Sequence, residues 1–170
     1  PSTVAALRAR FGALAHVTIE EVAVADNPGT LTMYRRGAST FGSNVPRSPA
    51  QVNDSYRPSA ADSFEVRAVT FDAIDDGQFD VVAIDIEGGE WHVLQRMTSR
   101  PAVISVETHG KRYENPFHDE ISAWTAAEGY GAWYRDETDT VFRHGWNVPV
   151  EDRSAPLSWL QRAKRAVRGR

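Results

Sequence analysis

Cysteine is missing altogether from this chain. That absence excludes disulfide staples, thiolate zinc sites and cysteine nucleophiles. Long apolar runs are missing too, so no segment is suited to crossing a bilayer as a helix. The opening Pro1-Ser2-Thr3 has neither the basic nor the apolar region of a secretory leader. Together these absences lead us to expect a cytoplasmic location. The sequence has no Walker loop, no G-x-S-x-G elbow and no zinc-ligand spacing, so those chemistries have no foothold. It also lacks an excess of positive charge: 19 basic against 23 acidic residues leave a net charge of -4. That balance argues against general nucleic-acid binding.

What remains is ordinary for a globular fold. The 170 residues are 41% hydrophobic and 25% charged, enough for one domain with a sizeable core. Helical spacing of Val4, Leu7, Phe11 and Leu14 predicts a first helix over Thr3 to Leu14, capped by Ser2. Alternation then predicts a strand from Val17 to Val24. Across the Asn27-Pro28-Gly29 turn a second strand, Thr30 to Tyr34, would complete a hairpin. Residues 35–63 are rich in Gly, Ser, Pro and Arg and read as one long loop. Such a loop is either a lid, here carrying Ser39, Phe41, Ser43 and Tyr56, or a mobile surface connection.

Beyond the loop, strands and helices alternate. Strands are expected at Phe64 to Thr70, Val81 to Ile86 and Pro101 to Val106, and helices at Trp91 to Met97 and Phe117 to Glu128. Tyr130 to Tyr134 and Thr140 to Arg143 flank Asp136-Glu137-Thr138-Asp139 as a closing hairpin. Alternation of this kind predicts an α/β domain with a mostly parallel sheet, the hairpin adding an antiparallel strand. The domain would span residues 1–154. Residues 155–170 differ in character: Arg162, Lys164, Arg165, Arg168 and Arg170 meet no acid, and without these five charges the rest of the chain stands at about -9. With Leu157, Trp159, Leu160, Ala163 and Val167 on an apolar side, this tail is expected to be a terminal helix, suited at most to weak contact with an anionic membrane surface.

The chemistry is expected where the Val81 strand ends. Asp85 and Glu87 alternate onto one face, as do Glu107 and His109 after the Val103 to Val106 run. A single helical crossover joins the two strands, so they are expected to be neighbours and to deliver all four side chains to one crevice at the carboxyl edge of the sheet. A histidine beside carboxylates can take a proton from a hydroxyl. Clustered carboxylates can also hold Mg²⁺ or a similar cation, so a divalent metal stays open without a committed ligand set. His16, His92, His118 and His144 read as structural or surface residues.

Phe64-Glu65-Val66-Arg67-Ala68-Val69-Thr70-Phe71-Asp72, then Val81-Val82-Ala83-Ile84-Asp85-Ile86-Glu87-Gly88-Gly89-Glu90 with Val93-Leu94, then Val106-Glu107-Thr108-His109 together resemble the FkbM-type methyltransferases. Glu21 to Leu31 is similar to that family's A-V-x-D-x-x-G segment. Ala83 and Phe71 depart from the pattern, which usually has Lys and Leu. The resemblance covers about residues 1–145. It implies a Rossmann-like, S-adenosylmethionine-dependent enzyme that methylates a hydroxyl on a small molecule such as a sugar or polyketide. By motif position it places Glu21, Val22 and Ala23 near the adenine. Asp85 would lie near the methionine end and the acceptor, with Glu107 and His109 as candidates for deprotonating or positioning the acceptor. The family's glycine-rich D-x-G-A-N-x-G turn and its two opening strands have no counterpart here. The chain therefore reads as an N-terminally truncated fragment with an incomplete cofactor site, expected to bind the cofactor weakly or not at all. Two other readings use the same residues: a non-catalytic binding domain of this fold, or a metal-dependent hydrolase built on the carboxylates.

Overall fold

The computed structural model describes residues 2–147. The basic tail expected at 155–170 lies outside the described residues. Helix α1 (Ser2–Phe11) leads to strand β1 (Ala23–Val24), then β2 (Gly29–Tyr34), β3 (Phe41–Gly42), helix α2 (Pro49–Asn53) and β4 (Ser63–Val69). The second half runs β5 (Val81–Ile84), α3 (Glu90–Leu94), β6 (Val103–Glu107), α4 (His118–Ala127), β7 (Tyr130–Arg135) and β8 (Asp139–His144).

A single, mostly parallel sheet is not what forms. The strands make two mixed four-stranded sheets, ordered β1-β4-β2-β3 and β5-β6-β8-β7, and most of the pairings are antiparallel. Only β1 with β4 and β5 with β6 run parallel. The reason lies in the connections. A parallel pair needs a crossover of a dozen or more residues. The helices expected at the right length exist only around β5 and β6, whereas β7 and β8 are joined by three residues.

The hairpin expected from Val17–Val24 and Thr30–Tyr34 does not form either. Strand β4 inserts between them: Ala68 pairs with Ala23 on one side and Gly29 on the other. Residues 17–22 find no strand partner, so β1 shrinks to two residues.

Residues 35–63 form neither a simple lid nor a loose loop. They hold β3, α2 and two short 3-10 turns. Ser48 caps α2 through a reciprocal box with Gln51, which also donates its backbone N–H to the Ser48 hydroxyl, and Pro49 occupies the first turn. Phe41, Ser48 and Ala50 are buried. Phe41 sits between Tyr34 and Tyr56, at centroid distances of 5.5 and 5.9 Å.

The main core lies on one face of the β5-β6-β8-β7 sheet. Ile84, Ile104, Val106 and Phe142 meet Val93 and Leu94 of α3 and Ile121 of α4. Alternation along β6 buries Ile104 and Val106 and turns Ser105 and Glu107 to the other face. Beneath the core, Asp75 accepts hydrogen bonds from the backbone N–H of Thr98 (2.7 Å), Ser99 (2.8 Å) and Gly77 (2.9 Å) and from the Ser99 hydroxyl. Burial alone would raise its pKa. The Ser99 side-chain and backbone donors, with Gly77 and Thr98, outweigh burial and hold it at about 2. Among the described residues no helix is long and apolar enough to cross a membrane.

Candidate active site

The parallel register fixes where the carboxylates stand. Ile84 pairs with Val106, so one residue further on Asp85 stands level with Glu107. Both belong to the face opposite the core. The chain then turns sharply at Glu87 and Gly88, which have φ of 60° and 103°. Gly88 is required: a Cβ there would lie 2.7 Å from the Arg47 carbonyl oxygen and 3.1 Å from the Tyr113 hydroxyl. Glu87 has no such exemption, so its left-handed backbone stores strain at the mouth of the crevice.

Glu90 holds the turn. It is fully buried. Its Oε1 accepts from the backbone N–H of Ile86 (3.0 Å) and Gly88 (3.1 Å), and its Oε2 from the Asn115 amide. Asn115 also donates to the Glu107 carbonyl at 3.0 Å, and its Oδ1 accepts from the Phe117 N–H at 2.9 Å. One buried carboxylate and one buried amide thus tie the ends of β5 and β6 to the starts of α3 and α4. In the sequence Glu90 stands only as the end of the Val81–Glu90 motif. The signal for its larger role is its place just after a glycine turn, where the backbone N–H groups of Ile86 and Gly88 need an acceptor.

The acids repel one another and are partly shut off from water. Burial, then the charges of Glu90, Glu87, Asp85 and Asp139, push Glu107 up to about 8. Burial and Asp85 push Glu87 up to about 7, against a Ser39 hydroxyl bond that draws it down. Burial and Asp139 raise Asp85. Near neutrality Glu107 therefore carries a proton, and Glu87 is poised between its two forms. Glu107 Oε2 and the Tyr113 hydroxyl are sealed from solvent with no hydrogen-bond partner. Tyr113 is missing from the sequence reading. The clue to it is the short turn after His109, which brings the chain back through a bridge between His109 and Glu114.

His109 stands differently from the acids. Its Nε2 lies 2.8 Å from the Asp136 carbonyl, which can only accept, so Nε2 carries the proton. Nδ1 then accepts from the Thr108 hydroxyl at 2.8 Å, which in turn lies 2.7 Å from the Thr140 hydroxyl. Both ring nitrogens are engaged, and the imidazole ties the end of β6 to the β7–β8 turn. Asp85, Glu87 and Glu107 are brought together, whereas the His109 ring is held by Thr108 and the β7–β8 turn and is not among the groups that act on the three acids.

A groove of about 950 Å³ opens next to Asp85. Glu20 to Val24 line one side, and Asp85, Ile86 and Gly89 the other. This places Glu21, Val22 and Ala23 in the same groove as Asp85, although the Glu21 carboxylate pairs with Arg8 at 3.2 Å. Asn44 and His92 border the groove and keep one unpartnered buried nitrogen each, Nδ2 and Nε2. His92, read from the sequence as structural or surface, is buried, with its ring against Phe117. Burial lowers its pKa, so the ring is neutral. The groove thus offers acids for a cationic ligand, apolar walls from Val22, Leu31 and Met33, and two orphaned polar groups. Among the described residues no three His, Cys, Asp or Glu side chains are placed to hold a metal ion.

A family model described as the methyltransferase FkbM domain matches residues 3–131. No curated protein and no solved structure matches the chain.

Proposed function

This chain belongs to the FkbM methyltransferase family, an S-adenosylmethionine-dependent one, and from that premise we propose that it methylates a hydroxyl oxygen of a small molecule such as a sugar or polyketide. The observation that carries this reading is the meeting of Asp85, Glu87 and Glu107 where β5 and β6 end, which with burial pushes the Glu107 carboxyl up to about 8. A carboxylate with its pKa raised to that level is a far stronger base than an ordinary one.

The groove supplies part of a cofactor site, and without a counterpart of the glycine-rich turn its binding of the cofactor is expected to be weak. Glu21, Val22 and Ala23 would hold its adenine end, and Asp85 its cationic end, in the groove they share. When bound, S-adenosylmethionine supplies an electrophilic methyl group. The chain has to align the acceptor, exclude water and remove one proton. In this reading the Glu107 carboxylate takes the proton from the acceptor hydroxyl through Oε1, the oxygen that is not sealed from solvent. Glu87 and Asp85 keep Glu107 basic by repulsion. His109 acts as a positioning residue that fixes the end of β6.

The test is transfer of a labelled methyl group by the protein to matched sugars or polyketides bearing a hydroxyl, an amine or a thiol. Label in an ether is expected. Label confined to nitrogen or sulfur, or no transfer to any hydroxyl, overturns the reading.

A further inference from the structure

A second cavity, of about 290 Å³, lies between α4 and the β7–β8 hairpin. Its floor is apolar, made by Ile121, Ala132 and Phe142. On its polar side stand Arg135, Ser122 and His118. The size is at the small end of ligand pockets, and an apolar body with a few converging polar groups is their usual composition.

Arg135 is the unusual element. It is half-buried, and its Nε donates to the Thr140 hydroxyl at 3.3 Å. Among the described residues its terminal nitrogens donate to nothing and it joins no ion pair. The nearby acids are committed elsewhere. Asp136 Oδ1 accepts the backbone N–H groups of Thr138 and Asp139, at 3.0 and 2.8 Å. Asp119 is fully exposed, 3.5 Å from His118 Nδ1. The terminal nitrogens of Arg135 are not among the atoms sealed from solvent, so an incoming anion can reach them. Its planar fork suits a carboxylate, which takes two parallel hydrogen bonds.

The guanidinium is also held in place. Arginine can only donate and a carbonyl can only accept, so one direction of donation runs from Arg135 to Thr140, Thr108, His109 and the Asp136 carbonyl. Thr108 and Thr140 are buried. The chain holds the Nε edge of a side chain that lines the cavity and leaves its terminal nitrogens without a partner among the described residues.

We propose that this cavity is a binding site for a small organic carboxylate with an apolar body, anchored by Arg135 and separate from the crevice at Asp85. Benzoate is the probe. Titration followed by backbone amide resonances is expected to give saturable shifts at Ser122, Ala132 and Arg135, with a Kd of about 1 mM. Benzamide, alike in shape but uncharged, is expected to bind at least about tenfold more weakly, as is benzoate to Arg135→Gln. Inorganic phosphate is expected to be weaker than benzoate because it leaves the floor uncovered. Ala132→Leu fills that floor with Arg135 intact and is expected to abolish binding, so the test stands even if Arg135→Gln does not fold. No saturable binding of benzoate, binding that survives Ala132→Leu, or phosphate binding more tightly than benzoate overturns the proposal. None of these readouts involves methyl transfer.

Discussion

Replacing Glu107 by glutamine removes the proton that the crevice holds most tightly. In the folded protein burial and four neighbouring acids keep this carboxyl protonated up to about pH 8. In the unfolded chain the same group releases its proton near its ordinary value of 4.5. Between these values the folded state binds more protons, so its contribution to stability is fully present below about pH 4.5 and is lost as pH rises through about 8. At full strength a displacement of this size is worth about 5 kcal/mol. Glu107 is only partly shielded from water, and screening reduces the figure to about 1–2 kcal/mol. Glutamine keeps the shape and the neutral charge at every pH. Urea unfolding at pH 6 and pH 9 is the assay. A little over half of that loss falls between pH 6 and 8, so the unmodified protein is expected to lose about 0.5–1 kcal/mol more than Glu107→Gln between the two pH values. Equal losses would refute the idea that repulsion among these acids sets the proton affinity of Glu107.

The methyl-transfer rate is expected to rise with pH to a plateau above about 8, the value at which Glu107 becomes a carboxylate; a pH–rate profile checks it, and the rise should vanish in Glu107→Gln. His109→Ala should lower turnover less than Glu107→Gln, because both imidazole nitrogens serve the β7–β8 turn; steady-state kinetics of the two variants decide it. Glu90→Ala strips the acceptor from two backbone N–H groups and the Asn115 amide, and urea unfolding should show a loss of about 3 kcal/mol or more. Asp75 contributes stability that is full above about pH 3.8 and lost as pH falls through about 2; an acid unfolding titration of Asp75→Ala should show that part of the acid transition missing.

The second half of the fold was legible in the sequence because its signals are local. The apolar run at Val81 to Ile84, the spacing of Phe117, Ile121 and Trp124, and the Asp136 to Asp139 turn each stand alone, and the β5–β6 pairing follows from one crossover. That pairing is what sets Asp85 level with Glu107. In the first half α1, β2 and β4 were legible as elements, but their pairing was not, since it depends on partners distant in the chain. Nothing near Val24 or Gly29 announces that Ala68 will come between them. Nothing around Phe41 shows that Tyr34 and Tyr56 enclose it. The roles of Glu90 and Tyr113 were hidden for a related reason: each depends on groups that only the turn at Glu87 and Gly88 brings within reach.

The near-contact of the Arg47 carbonyl with Gly88 bears on how this enzyme can be re-engineered. Residues 37–53 cover the mouth of the crevice, so they are the natural piece to exchange with a relative when a new acceptor is wanted. At Gly88 their fit to the turn is made by main-chain atoms of Arg47 and Ser48, which no side-chain redesign can soften. A graft that alters the backbone path at Arg47 and Ser48 will misplace the Glu87 carboxylate as well. Chimeras should therefore move residues 45–48 together with 86–90 as one cassette.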